Sequence, residues 1–353
     1  MSQDHHPGAP ETSGREVNHA RARAKLRGWR AWLLLFFTSA LLAVAFEVGL
    51  RVYATSTNKV RGATYDNDLG WRMLPGITKA GHQWCDQVPA KTNTLGWRDT
   101  EFSRMKGEKG LRIVALGDSF TFGHGVDYGD RFSEVLERRR ESLEVYNMGV
   151  SAYGTDQQVR VYEVHGSRLD PDGVLLMVFL GNDLEDIMHE RRFSWPKPYF
   201  RLQQDQLELV EPRQDWSTFL RTKSYFIEAL FQIVEGRNKR HTYAADLATT
   251  DPVRLFLKLV DRLSDQVEAN DAKLLVALIH PRNSSEEQEL VARSIAQSLS
   301  DAGHAVLDLG EPFARESASG KLLYLSDGHW NAQGNALAAE LIESKLLSEG
   351  WIR

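Results

Sequence analysis

The sequence predicts an α/β protein whose main domain is a three-layer α/β/α sandwich with a parallel sheet of about five strands. From Leu111 onward, short apolar runs alternate with longer amphipathic segments, a pattern typical of parallel strands connected by helices. Near the N-terminus, a cluster of basic residues precedes a long apolar span. This second pattern predicts one transmembrane helix before the main domain.

The elements of the sandwich follow from the periodicity of their residues. Right-handed crossovers between the strands bring their carboxyl ends to one edge of the sheet, as in a flavodoxin-like fold. The predicted strands are Arg112–Leu116, Leu143–Tyr146, Val174–Leu180, Lys273–Ile279 and Ala305–Leu309. The predicted helices are Arg131–Glu141, Asp156–Val164, Pro252–Ala269, Ser285–Ala302 and Ala332–Leu347.

The N-terminal part divides into a tail and an apolar span. Residues 1–30 lack hydrophobic periodicity and end in a basic cluster, which predicts a disordered, basic cytoplasmic tail. Residues 31–50 carry no charge except Glu47. Twenty helical residues extend about 30 Å, the thickness of the hydrocarbon core of a bilayer. Because basic residues stay in the cytoplasm, we predict a single-pass membrane anchor, with the remaining chain on the extracytoplasmic side.

A cleaved signal peptide is the alternative for this span, since Ala43-Val44-Ala45 has the small residues of a signal-peptidase site. The long basic tail and the apolar residues that continue to Leu50 favour an uncleaved anchor. A buried core helix would also be apolar, but the adjoining arginine cluster argues against it.

The rest of the chain divides into an extension and the main domain. Residues 51–107 contain many turn-forming residues, which predicts a stalk followed by short strands that pack on the main domain. Residues 108–353 form the main domain, and an insertion at about 188–250 interrupts its alternation. This insertion contains a predicted helix at Ser224–Ile233, and we expect it to flank or cap the functional site.

The composition excludes several classes of function. The formal charge of −5 carries no signature of polyanion binding, so no nucleic-acid partner is expected. Cys85 is the only cysteine, which excludes an intrachain disulfide and a cysteine-based metal cluster. We interpret Cys85 as a structural or incidental residue rather than a reactive thiol.

A serine follows the first strand of the main domain. The apolar run from Leu111 leads directly into Gly117-Asp118-Ser119, where a buried strand ends in a tight turn. Open α/β sheets place their sites at this carboxyl edge, so Ser119 is a candidate nucleophile. The alternative is that Asp118 and Ser119 only cap the turn that follows.

Three further segments with polar or small residues follow later strand ends. Small residues at Asn147–Gly154 let backbone N–H groups approach a ligand, and the Asn182 amide can donate to a developing oxyanion. Before the last helix, His329 is a candidate general base, with Asp327 to orient it. Taken singly, Asn182 equally suits a turn and His329 a capped loop. Their shared placement at one sheet edge favours a site.

These four segments, in this order, resemble the SGNH (GDSL-type) hydrolase family over about residues 108–350. The resemblance implies that Ser119 is the nucleophile and His329 the base. It also implies an oxyanion hole made by the Ser119 N–H, one N–H of the second segment and the Asn182 side chain. The matching segments are Gly117-Asp118-Ser119-Phe120, Asn147–Gly154, Gly181-Asn182-Asp183 and Asp327-Gly328-His329.

The chain departs from the family pattern at two positions. The family has glycine where this chain has Ala152, so either Ala152 or Gly154 supplies the second-segment N–H. The family acid stands three residues before the histidine, a position held here by Ser326, whereas Asp327 stands two before His329. A serine–histidine dyad assisted by a backbone carbonyl is therefore an alternative to a triad with Asp327.

The resemblance implies a membrane-anchored serine esterase that needs no metal or organic cofactor. From its location we expect an acylated small molecule or an acetylated envelope or exported polysaccharide as substrate. One alternative is an O-acyltransferase that acts on a sugar hydroxyl, and another is a non-catalytic, glycan-binding envelope protein. The sequence leaves the natural acyl donor and the oligomeric state open.

Overall fold

The fold is described from a computed structural model for residues 13–56, 62–77, 91–103, 105–106, 110–192, 195–212, 215–235 and 242–353. Cys85 and parts of the predicted stalk lie outside the described residues. The strands are β1 (Ala63–Asp66), β2 (Gly70–Met73), β3 (Leu111–Gly117), β4 (Leu143–Asn147), β5 (Gly173–Phe179), β6 (His189–Arg192), β7 (Trp195–Pro196), β8 (Tyr199–Gln203), β9 (Gln206–Val210), β10 (Thr242–Tyr243), β11 (Lys273–Ile279) and β12 (Ala305–Asp308). The helices are α1 (Ser13–Ser56), α2 (Ser119–Phe122), α3 (Phe132–Arg139), α4 (Thr155–Val164), α5 (Asp183–Asp186), α6 (Trp216–Lys223), α7 (Tyr225–Glu235), α8 (Pro252–Glu268), α9 (Glu286–Asp301), α10 (Gly310–Ala318) and α11 (Ala332–Ser348).

The central sheet has five strands in the order β12-β11-β5-β3-β4, and every neighbouring pair is parallel. This confirms the predicted parallel sheet, and the order is the flavodoxin-like one. Each of the five strands begins and ends within one residue of its predicted bounds. The strand order reverses between β3 and β5, which is where open α/β sheets form their clefts.

Both faces of the sheet are buried, which explains the continuous apolar runs in the sequence. Val114 and Leu116 share one core with α4, α8 and α9, whereas Ile113 and Ala115 share the other core with α3, α10 and α11. All four side chains are fully buried. Each fully buried aliphatic side chain of the size of valine or leucine contributes about 1.5–3 kcal/mol to stability.

The long helices of the main domain begin at side chains that satisfy free backbone N–H groups. Asp251 caps α8, whose first residue is Pro252. Ser285 and Gln288 form a capping box at the start of α9, and Asn331 caps α11. These signals explain why the starts of the three helices were predictable to within one residue.

The insertion and one short helix differ from the sequence-based prediction. The insertion contains a small antiparallel sheet of β10, β6 and β7, a hairpin of β8 and β9, and the helices α6 and α7. Only α7 corresponds to a predicted element. The helix α10 is absent from the predicted helices. Its start, Gly310-Glu311-Pro312, contains a proline, which is tolerated in the first turn of a helix.

The helix α1 is longer than predicted. It runs without a break from Ser13 to Ser56, whereas the sequence analysis expected disorder over residues 1–30. The stretch from Ala20 to Leu26 contains only alanine, arginine, lysine and leucine, which are strong helix formers, and it extends the adjoining apolar helix. Within α1, Trp29–Ser56 is long and apolar enough to span a membrane, and its most apolar 18-residue window has a mean hydropathy of 2.2.

A buried arginine connects the N-terminal extension to the segment that follows the candidate nucleophile. Arg98 is fully buried and donates hydrogen bonds to the carbonyl oxygens of Phe122 at 2.9 Å, Gly123 at 2.6 Å and Val126 at 2.7 Å. These carbonyls lie at and after the end of α2. The extension therefore supplies hydrogen-bond donors to the loop that follows Ser119.

We predict that Arg98→Ala lowers the free energy of unfolding by about 3 kcal/mol or more. The substitution leaves three buried carbonyl groups without this donor, and each costs about 1–3 kcal/mol. Urea denaturation of the detergent-solubilised chain measures the change. Arg254→Ala, which removes an exposed ion pair with Asp205, is the control and should cost less than about 1 kcal/mol. Equal effects of the two substitutions would contradict the prediction.

Candidate active site

The end of β3 presents Ser119 at the carboxyl edge of the sheet. Gly117 has no room for a side chain, since a Cβ there would lie 2.0 Å from Thr121 Oγ1. The Asp118 carboxylate accepts a hydrogen bond from the Phe120 N–H at 2.9 Å and so caps α2. The predicted capping role of Asp118 is thus present, while Ser119, the first residue of α2, is half-buried and its hydroxyl lies 3.3 Å from Asp118 Oδ2.

His329 lies against Ser119, although 210 positions separate them in the sequence. The distance between His329 Nε2 and Ser119 Oγ is 2.8 Å. The loop that carries His329 is anchored by its neighbour Trp330, whose ring packs against Phe120 with centroids 5.0 Å apart and stacks on Phe313 at 4.9 Å. The aromatic packing places the imidazole within hydrogen-bonding distance of the serine hydroxyl.

Asp327 lies on the other side of the imidazole. One oxygen, Oδ2, is 3.1 Å from His329 Nδ1, and the other, Oδ1, accepts the backbone N–H of His329 at 3.1 Å. The contact at Nδ1 is close enough for an ion pair, but it lacks the geometry of a hydrogen bond. Nδ1 has no hydrogen-bond partner among the described residues. No described carbonyl takes the place of the acid, so Asp327 is the nearest group that can orient His329.

His124 is a neighbour that the sequence analysis missed. Its Nε2 lies 3.3 Å from Asp327 Oδ2, and its ring lies 4.4 Å from the ring of His329. The two histidines therefore share one carboxylate. His124 stands in a Gly-His-Gly segment five residues after Ser119, and nothing in that pattern indicates a site. The ligand atoms of the three side chains lie within 4.8 Å of one another, so the group has the chemistry to hold a metal as well as to relay a proton.

The surroundings lower the pKa of His329. Burial is the largest cause, and the nearby His124 adds to it, whereas Asp327 opposes both. Partial burial pushes the pKa of Asp327 upward, but its bond to the His329 N–H and the nearby imidazoles hold that pKa below its usual range. The pair therefore combines a neutral imidazole, ready to accept a proton, with an ionised carboxylate.

Asn182 and the second segment lie at the neighbouring strand ends. Asn182 follows β5, and its Nδ2 donates one hydrogen bond to Asp186, which leaves the second N–H of the amide. The Gly154 N–H faces Gln157 Oε1 at 3.4 Å at the start of α4. Ala152 has a left-handed backbone with φ of 64°, and its N–H makes no hydrogen bond with the described part of the chain.

Three buried carboxyl groups surround this edge. Burial raises the pKa of Asp118 to about 7, although the Phe120 N–H opposes the shift. Burial also raises the pKa of Asp186 to about 6 against the opposing charge of Arg192. Burial and the nearby Asp118 raise the pKa of Asp183 well above its usual range. Protonation therefore relieves repulsion within this group as the pH falls through 7 and 6.

Comparison with known proteins identifies the family. Residues 115–337 match the model of the GDSL-like lipase/acylhydrolase family. The chain belongs to this family. It is therefore an ester-hydrolysing serine hydrolase, as its resemblance to the SGNH hydrolases implied. No curated protein sequence matches the chain.

Solved structures of a lipolytic protein and of two esterases are similar to this chain. A lipolytic protein of the G-D-S-L family from Desulfitobacterium hafniense is 14% identical, with a TM-score of 0.40 over 67% of this chain and 99% of the other. The esterase EstA from Pseudoalteromonas sp. is 13% identical, with a TM-score of 0.41 over 67% and 97%. A catalytic mutant of the acetylxylan esterase Axe2 from Geobacillus stearothermophilus is 13% identical, with a TM-score of 0.42 over 69% and 96%.

We predict that the acidic limb of the pH profile of kcat/KM has its midpoint below the usual histidine pKa of 6.5. Activity requires neutral His329 and is lost as the pH falls through its lowered pKa. Asp327→Asn removes the charge that raises this pKa, so the midpoint should move to lower pH and the plateau should fall. His124→Gln removes the charge that lowers it, so the midpoint should move to higher pH. Hydrolysis of p-nitrophenyl acetate measures all three profiles, and shifts in the same direction would contradict the assignment.

Proposed function

We propose that this protein is a serine esterase in which Ser119 attacks the carbonyl carbon of an ester and His329 acts as the general base. The observation that carries the proposal is the 2.8 Å contact between the half-buried hydroxyl of Ser119 and Nε2 of His329. The ionised Asp327 beside Nδ1 stabilises the imidazolium that forms during the attack.

The reaction proceeds in two acyl transfers. His329 takes the proton of Ser119 as the serine oxygen bonds to the carbonyl carbon. The protonated imidazole then gives that proton to the leaving alcohol as the ester bond breaks, which leaves an acyl-serine. Water, deprotonated by the same imidazole, attacks the acyl-serine and releases the carboxylic acid with Ser119 restored.

Three donors suit the oxyanion of the tetrahedral intermediate: the N–H groups of Ser119 and Ala152 and the free N–H of the Asn182 amide. Ala152 is favoured over Gly154 because the Gly154 N–H faces Gln157 at the start of α4. The left-handed backbone at Ala152 is the conformation that glycine adopts most readily, in keeping with the glycine that the family has at this position. An alanine there retains the N–H, so the donor survives at a modest cost in strain.

The proposed location is the bacterial cytoplasmic membrane, with α1 as an uncleaved single-pass anchor and the catalytic domain on the periplasmic side. The length and hydropathy of Trp29–Ser56 and the basic residues before it support this orientation. Contacts between Glu47 and the insertion also support retention of the helix, because cleavage after Ala45 would sever α1 just before this contact.

The proposed substrate is an acetylated envelope or exported polysaccharide. A cavity of about 740 Å³ lies at the carboxyl ends of β11 and β12, lined by polar groups such as Arg282 and Asn283 and by the rings of Tyr324 and Trp330. In the sheet, β11 is two strands away from β3, which ends just before Ser119. Neighbouring strands lie about 4.8 Å apart, so one or two sugar residues can span the distance from the cavity to Ser119. This size and lining suit a sugar chain better than a single small ester.

We expect Ser119→Ala to abolish release of acetate from acetylated polysaccharide, since the nucleophile is lost. Acetate is assayed directly, and the polysaccharide is examined by mass spectrometry. Transfer of acetyl groups to an added sugar, without free acetate, would instead identify an O-acyltransferase. Unchanged acetate release by the Ser119→Ala variant would contradict the assignment of the nucleophile.

We expect Asn182→Ala to lower kcat about a hundredfold or more, because one good oxyanion donor contributes about 3 kcal/mol to the barrier. KM should change little, since the bond strengthens in the transition state. Asn270→Ala is the matched control and should retain activity. Asn270 is exposed and lies just before the amino end of β11, at the edge of the sheet opposite the candidate site. Equal kcat values for both variants would rule Asn182 out of the oxyanion hole.

A further inference from the structure

We propose that the helices α6 and α7, called here the apolar hairpin (Trp216–Glu235), seat in the outer leaflet of the membrane beside α1. The inference rests on the proposed membrane anchor. It adds a second membrane contact, made by the insertion of the catalytic domain, which fixes the orientation of the active site above the bilayer.

The helix α6 has the burial pattern of a helix that faces lipid. Its buried side chains are Thr218 and Arg221, which are polar or charged. Its large apolar side chains point outward: Trp216 is 79% exposed, and Phe219 and Leu220 are about two-fifths exposed. A helix on the surface of a water-soluble domain places its apolar side chains in the opposite direction.

The helix α7 is mostly apolar, and its three polar residues, Glu228, Gln232 and Glu235, recur at the spacing of one helix face. Eight of its eleven residues are apolar, yet none of its described side chains is fully buried. Ile233 is 78% exposed and Val234 is 82% exposed, and Leu230 is also exposed. Exposed apolar patches of this kind mark interaction sites, and a helix without a buried face gains little from the protein core.

The apolar hairpin packs against the anchor helix α1. The Glu47 carboxylate accepts hydrogen bonds from Ser224 Oγ and from the backbone N–H of Phe226, both at 2.8 Å, and so caps α7. The rings of Phe46 and Phe226 meet edge to face with centroids 5.4 Å apart. These contacts explain the one charged residue in the apolar span, which satisfies the start of α7.

The contact between Glu47 and the start of α7 lies at the depth of the membrane surface. Eighteen residues separate Trp29 from Glu47, which corresponds to about 27 Å along a helix and nearly matches the thickness of the hydrocarbon core. With Trp29 at the inner boundary, Glu47 and the start of α7 lie at the outer boundary. The nearest apolar phase to the exposed side chains of the hairpin is then the lipid that surrounds α1.

The hairpin is also tied to the catalytic edge. Arg191 on β6 contacts Thr218 at 3.3 Å and Asp215 at 3.4 Å, at the start of α6. The next residue, Arg192, pairs with Asp186, which in turn accepts the bond from Asn182. A hairpin fixed in the membrane thus holds the oxyanion side of the site in a constant orientation.

The test uses the full-length chain with Cys85→Ser, reconstituted in phosphatidylcholine–phosphatidylglycerol liposomes. Single cysteines carrying the fluorophore NBD are placed by Ile233→Cys in the hairpin, Leu35→Cys in α1 and Leu290→Cys on α9. Leu290 is the matched control, because it is an aliphatic residue, 59% exposed, on a helix outside the hairpin. Reaction of each variant with a fluorophosphonate verifies the fold, and nitroxide-labelled lipids report contact with the acyl chains.

The expected result is a blue-shifted emission at position 233 with quenching by lipid nitroxides comparable to that at 35 and several times that at 290. If the probe at position 233 were quenched as weakly as the probe at 290, while the probe at 35 was strongly quenched, the hairpin contact would be overturned and the anchor would stand. A blue shift at 233 without lipid quenching would show a protein partner, such as a second copy, and would also overturn the proposal. Absence of quenching at 35 would remove the anchor and the inference together.

Discussion

The parallel register of β3 with its two neighbours determines where the catalytic groups stand. Ala115 pairs with Asn147 on β4, and Gly117 pairs with Met177 on β5, so β4 ends two residues before β3 and β5 ends two residues beyond it. Ser119, the segment with Ala152, and Asn182 all follow these ends within a few residues. The sheet therefore brings the proposed nucleophile and the proposed oxyanion donors to one edge, whereas His329 comes from the loop before α11.

The electrostatics of the site depend on the insertion as well as on the core. Lys197 is fully buried against Asp156, and Arg192 pairs with Asp186, so two cations of the insertion neutralise carboxylates near Asn182 and Gly154. Removing one partner of a buried ion pair is strongly destabilising, because the other charge remains desolvated. The insertion is consequently part of the active-site architecture, and its sequence is constrained by the carboxylates that it neutralises.

The sequence analysis succeeded where one physical signal dominated. The strands around Val114 and Leu176 are buried on both faces, which produces apolar runs that have no other interpretation. Ser119 and His329 were predicted as catalytic residues from four short segments in a fixed order, and Ser119 Oγ lies 2.8 Å from His329 Nε2. The proposed preference for Ala152 over Gly154 rests on backbone angles and hydrogen bonds, which the spacing of residues does not contain.

The parts that the sequence analysis missed share a different cause. The short strands of the insertion pair with each other rather than with the central sheet, so none is long enough to show a period. The helix α6 buries Arg221 and exposes Trp216, which reverses the pattern on which helix prediction depends. His124 reaches the site only because the loop after α2 folds back over His329, a tertiary contact without a local signature.

Mapping a covalent adduct on the active protein tests the central claim most directly. Trypsin releases Ile113–Arg131 as one peptide, in which Ser119 is the only serine. After reaction of the full-length protein with a fluorophosphonate, the account predicts that tandem mass spectrometry finds the phosphonyl group on Ser119, and that His329→Ala abolishes its formation. A stoichiometric adduct on any other peptide, or labelling of Ser119 that does not require His329, would contradict it.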